Sequence, residues 1–81
     1  MINETKLLLR SIRLLKTNWI YHNHLGFIGI ASSLRGYKLT VYTPQEVAGI
    51  LIRQIDSNTN PSDYMKVLRG NLVKIIEGRD L

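Results

Sequence analysis

Tyr37-Lys38-Leu39-Thr40-Val41-Tyr42-Thr43-Pro44-Gln45-Glu46 reads as a strand that runs directly into a helix. Through Tyr42 the pattern has period two, with Tyr37, Leu39 and Val41 on one side and Lys38, Thr40 and Tyr42 on the other. Thr43 then offers an oxygen to cap free backbone N–H groups, Pro44 brings a preset φ to the first helical position, and Glu46 is placed to close a capping box. The junction anchors an α+β architecture.

Downstream, Val47, Ala48, Ile50, Leu51 and Ile55 make a broad apolar helix face that stops in the turn-forming run Asp56-Ser57-Asn58-Thr59-Asn60. Asn60-Pro61-Ser62-Asp63 starts another helix by the logic of Thr43-Pro44, with Tyr64, Leu68, Leu72 and Ile75 as its stripe and Gly78 as its end. Arg79-Asp80-Leu81 reads as a frayed tail. Gly70 inside this helix costs about 1 kcal/mol relative to alanine and points to a close approach or a break.

Upstream, Asn3-Glu4-Thr5-Lys6 opens a helix expected to reach about Asn18. Leu8, Ile12, Leu15 and Trp19 form its apolar stripe, and Lys6, Arg10, Arg13 and Thr17 lie opposite. Between these helices Trp19-Ile20-Tyr21 and Phe27-Ile28-Gly29-Ile30-Ala31 read as strands, with Ser32–Gly36 as a longer hairpin loop. A competing reading turns Leu25–Arg35 into a short helix closed by Gly36. The expected order is α-β-β-α-α, an antiparallel hairpin packed against helices, with an optional third strand at Trp19–His22. No linker or repeat divides the 81 residues, which are expected to form one domain.

A chain of this length buries only about 60% of its unfolded surface, so its core is thin. Leu7, Leu9, Leu14, Ile52 and Val73 fall off the expected stripes, and such surplus apolar surface predicts a homodimer. The chain has no cysteine, which excludes a disulfide framework and thiolate metal sites. No apolar run approaches the roughly 18 residues of a membrane span, and the N-terminus lacks an export signal, so a cytoplasmic protein without membrane insertion is expected.

Chemistry-bearing patterns are sparse. His22-Asn23-His24 on a strand would turn both imidazoles to one side, as metal ligands require, but no third ligand is marked by spacing. The pair reads as polar residues near a strand end or turn. Ser32 or Ser33 could be matched with either histidine only on paper, and the six acids are scattered, with Glu4, Glu46, Asp63 and Glu77 explained by helix ends or exposed faces. The chain is therefore read as non-enzymatic and without a cofactor. Gly26-Phe27-Ile28-Gly29 has the G-x-x-G outline of a KH-domain clamp, but its large apolar centre fits a strand bordered by glycines. Tyr42-Thr43-Pro44-Gln45-Glu46-Val47-Ala48 resembles the start of the first helix in winged helix-turn-helix domains of the excisionase and MerR type. Ile50–Ile55 then prolongs the helix where those families turn, and no family is assigned.

Charge carries the functional signal. Eleven Lys and Arg against six Asp and Glu give +5, which favours a polyanionic partner: nucleic acid first, an acidic protein surface second, anionic lipid third. Between Thr5 and Gln45 there are six bases and no acid. These are Lys6, Arg10, Arg13 and Lys16 from the first helix, Arg35 in the hairpin loop and Lys38 beside it, the candidate nucleic-acid-binding set. Lys66, Arg69 and Lys74 add bases on the last helix, and Tyr37 or Tyr42 could stack on a nucleobase. The expected function is a small basic regulatory module that binds nucleic acid, or alternatively a small inhibitor or adaptor docking an acidic surface of a larger protein.

Overall fold

The computed structural model describes residues 4–79, so Asn3, Asp80 and Leu81 lie outside the described residues. The element order is α1 (Glu4–Leu15), β1 (Trp19–His22), β2 (Gly26–Ser33), β3 (Gly36–Tyr42), α2 (Pro44–Asp56) and α3 (Asp63–Glu77). The three strands form an antiparallel meander in the order β1-β2-β3. The α+β class and the antiparallel hairpin hold, and the optional strand at Trp19–His22 is real, which makes the order α-β-β-β-α-α. Four residues without clean alternation become a strand because Trp19, Ile20, Tyr21 and His22 pair with Gly29, Ile28, Phe27 and Gly26 of β2. Residues 26–33 are strand and not helix, and the hairpin is tighter than expected. Ser33 pairs with Gly36, leaving Leu34 and Arg35 as the turn, with Gly36 at φ 115°, a conformation that favours glycine.

The β-to-α junction is built as its residues require. Glu46 N–H donates to Thr43 Oγ1 at 3.2 Å, and Glu46 Oε1 accepts from Thr43 N–H at 3.0 Å, so the capping box is complete. Thr43→Ala is expected to cost about 1 kcal/mol, whereas Arg35→Ala at the hairpin turn should stay within roughly 0.5 kcal/mol. Denaturant melts check the order. The start of α3 is shifted from its expected position: Ser62, not Asn60, is the cap, accepting from Met65 N–H at 3.3 Å, and Pro61 precedes it.

α1 ends at Leu15, one turn earlier than its periodicity suggests. Lys16 adopts φ 54°, with its N–H on the Arg13 carbonyl and the Thr17 N–H on the Ile12 carbonyl, a Schellman closure. Gly78 closes α3 in the same way at φ 71°. A left-handed lysine costs roughly 1–2 kcal/mol. The Gln54 side chain offsets part of this by donating to the Leu15 carbonyl at 2.9 Å, which ties the end of α1 to α2.

The core lies among the three helices. Leu7, Leu8 and Leu15 of α1, Val47, Leu51 and Ile55 of α2, and Leu68, Leu72 and Ile75 of α3 are all buried. The α1 stripe is rotated from the expected one because Ser11 is at its centre, fully buried, with its hydroxyl donating to the Leu7 carbonyl at 2.7 Å. Leu7 and Ile52 are therefore core residues, and Val73 packs against the core. Of the surplus apolar residues only Leu9 and Leu14 are exposed. Tyr64, expected in the α3 stripe, is exposed as well. α3 is continuous through Gly70, where an added Cβ would meet nothing within 4 Å, so that glycine marks neither a break nor a close approach.

The sheet reaches the core through Phe27, which is buried, with Trp19 and Tyr42 packed at the edge. All three lie on one face. The opposite face carries Ile20, Ile28, Ile30, Tyr37, Leu39 and Val41, so the apolar side of the β3 alternation points away from the helices. Beyond Phe27 the β2–β3 hairpin continues for six residues, about 20 Å, and its end from Ser33 to Leu39 projects with every residue exposed. The molecule measures 40 × 32 × 19 Å, with a radius of gyration of 13.1 Å against about 11.7 Å for a compact chain of this length.

Candidate nucleic-acid interface

Five of the six candidate cations fall into two clusters. Lys6, Arg10 and Arg13 follow one another at helical spacing on the exposed face of α1. Arg35 is at the hairpin turn and Lys38 on β3, pointing to the helix side of the sheet along with Thr40 and Tyr42. Lys16 stands between the clusters. Its left-handed backbone turns the chain from α1 toward β1, and it lines a trough of about 420 Å³ with Thr17, Ala31, Thr40 and Ile50. The hairpin's projection thus separates Arg35 from the helix cluster rather than joining all six in one compact patch.

Their shared property is electrostatic. Asp56 is held by Arg69 in a bidentate pair, Nε to Oδ1 at 2.7 Å and Nη2 to Oδ2 at 3.1 Å. These hydrogen bonds hold the Asp56 carboxyl below its ordinary range and raise Arg69 above its own. Asp63 pairs with Lys66 at 4.0 Å and Glu77 with Arg79 at 2.7 Å, while Glu46 serves the α2 cap. Glu46, Asp56, Asp63 and Glu77 are thus engaged beyond Gln45, and Glu4 stands in the first turn of α1, ahead of Lys6. None of Lys6, Arg10, Arg13, Lys16, Arg35 and Lys38 has an ion pair among the described residues. An unpaired exposed cation gives up little on meeting a phosphate, whereas Arg69 would have to surrender a carboxylate.

One group near this face is not marked by the sequence. Arg10 lines a small groove of about 170 Å³ between α1 and α3 with Tyr64 and Asn71. Tyr64 gives the helix cluster an exposed aromatic ring beside a guanidinium, the combination that accepts a stacked base. Its place in the apolar periodicity of α3 concealed it. Of the two tyrosines expected to stack, Tyr42 is engaged edge-to-face with Trp19 at 5.0 Å, while Tyr37 is 79% exposed on the sheet.

The histidines are turn residues. His22 ends β1, and its Nδ1 accepts from the backbone N–H groups of His24 and Leu25 at 3.1 and 3.3 Å, closing the turn into β2. Among the described residues no group of three His, Cys, Asp or Glu could hold a metal ion. Ser33 is bound into the hairpin turn, donating to the Gly36 carbonyl and accepting from Arg35 N–H, at the end of β2 remote from His22. α2 runs to Asp56, and six residues separate it from α3, so the tight turn of a winged helix-turn-helix does not follow the Tyr42–Ala48 segment. None of the described helices is long and apolar enough to cross a membrane. Compared with known proteins, the chain matches no family model, no curated protein and no solved structure.

Proposed function

We propose that the protein is a small non-enzymatic regulatory module that binds nucleic acid through phosphate contacts, with Lys6, Arg10 and Arg13 along one strand's backbone and Lys16, Arg35 and Lys38 on the projecting hairpin side. The observation that carries it is the coincidence of an acid-free stretch between Thr5 and Gln45 with six cations that have no ion pair among the described residues. Tyr64 beside Arg10 supplies a stacking surface, and no residue pattern supplies a base-edge code, so binding is weighted toward the phosphate backbone.

The double substitution Arg10→Ala/Arg13→Ala tests it. Both side chains are exposed, so the fold should be retained within about 0.5 kcal/mol. Binding to a labelled duplex should weaken, and the salt slope should fall by about two, because each lost phosphate contact retains roughly one counterion. Weaker binding with an unchanged slope would remove these arginines from the interface.

A second reading, a protein-interaction module, is favoured by the apolar outer face of the sheet. It predicts no binding to the labelled duplex at about 50 mM salt and a stoichiometric protein partner instead.

A further inference from the structure

We infer that the outer face of the sheet is the interface between two copies of this chain, stacked sheet against sheet. Ile20, Ile28, Ile30, Tyr37, Leu39 and Val41 occupy adjacent positions on this face, from all three strands, with no charged side chain among them. Leu39 is 63% exposed and Val41 56%, and Leu34 extends the apolar surface at the hairpin turn with full exposure. Ile20 is 49% exposed, Ile30 37% and Tyr37 79%; at about 150–200 Å² for a fully exposed large side chain, the lower part of the aromatic range, the six exposures amount to roughly 600–800 Å². That exceeds the ~300–600 Å² of the largest patch on an ordinary monomer and approaches the ~800 Å² per partner of a standard interface.

The chemistry of the face selects a copy of itself. A partner recognised by charge finds nothing to pair with here, because the unpaired cations lie on α1, at the turn and on the helix side of the sheet. A pleated aliphatic surface is complementary to another pleated aliphatic surface at about 10 Å, the two-layer arrangement in which sheets bury their second face. An apolar depression between Ile30, Tyr37 and Leu39, of about 390 Å³, gives the opposing sheet's side chains a seat. The helix side of the sheet is anchored at the core by Phe27 and carries Lys38 and Thr40 where it leaves the helices, whereas the outer face is apolar along all three strands. Stacking would leave α1 free on each copy and double the cations offered to one polyanion, so dimerisation and nucleic-acid binding add through multivalency.

Sedimentation of the full chain at roughly 10 µM, a concentration at which a well-matched interface of this size assembles, should give a species twice the 9.3 kDa chain mass. Tyr37→Thr/Leu39→Thr, which keeps strand-forming residues while removing the apolar surface, should sediment as a monomer with unchanged far-ultraviolet circular dichroism. Isotope-filtered NMR on the native chain supplies a second readout: contacts between copies should link the methyl groups of Ile20, Ile28, Ile30, Leu39 and Val41. A native chain that is monomeric at every concentration, a dimer untouched by the double substitution, or a monomer that cosediments with anionic lipid vesicles through this face would each overturn the inference. Loss of the dimer leaves the fall in salt slope expected of Arg10→Ala/Arg13→Ala at about two per bound copy, so the phosphate-binding reading is tested separately.

Discussion

Leu51→Ala is expected to destabilise the protein by about 3 kcal/mol, within the 2–5 kcal/mol range for leucine truncation in a core. Leu51 is fully buried on α2, the helix that packs against both α1 and α3, so the lost methyl groups leave a void bounded by all three helices. A chain of this length has roughly 4–12 kcal/mol of total stability. The substitution therefore removes a quarter to most of it and should lower the melting temperature by more than about 12 °C. Leu14→Ala, at an exposed leucine of α1, should stay within about 0.5 kcal/mol. Thermal melts of the two variants that failed to separate would mean that the core does not lie among the helices.

Gly29→Val should have the second-largest effect, and its sign is informative. In a strand interior valine is ordinarily the better residue, and glycine carries a cost of about 0.5–1 kcal/mol. At Gly29 the expectation reverses. An ideal Cβ there would lie 2.7 Å from Tyr42 Cε2 and 3.1 Å from Trp19 Cζ3. The two rings meet at 80° directly over the glycine, and they connect the sheet to the edge of the helical core. Valine would displace them, so a cost of about 3 kcal/mol, the upper end for overpacking, is expected together with altered tryptophan fluorescence. A neutral or stabilising result would show that the rings are not seated on Gly29.

Both predictions bear on what could be read from the residues alone. The β3-to-α2 junction was legible because Thr43, Pro44 and Glu46 act on backbone within one turn of themselves. The end of α3 was legible because Gly78 is the residue that a left-handed closure favours. α1 has the same closure on Lys16, which carries no such signal, so its periodicity overran. β1 depends on pairing with β2 and has too few residues to announce itself. The importance of Gly29, and the unimportance of Gly70, depends on which side chains arrive from elsewhere in the chain. The sheet was ambiguous for a related reason, since Trp19, Phe27 and Tyr42 on one face and Ile28, Leu39 and Val41 on the other are both apolar.

The candidate interface divides in the same way. The acid-free half is a property of composition and order, and all six cations could be named from it. Their separation into a helix cluster and a hairpin cluster follows from the projection of β2 and β3, which no local pattern encodes. Tyr64 joined Arg10 only when α1 and α3 were packed together.

Fluorescence anisotropy of the unmodified protein with a labelled duplex, between about 50 and 200 mM salt, tests the polyanion surface most directly. If four to six of the unpaired cations contact phosphates, log K should fall linearly with log salt at a slope of roughly −3.5 to −5.5, a loss of affinity of about 10²–10³-fold over that range. Absence of binding at about 50 mM, or binding whose slope is near zero, would contradict a phosphate-binding role for the acid-free half.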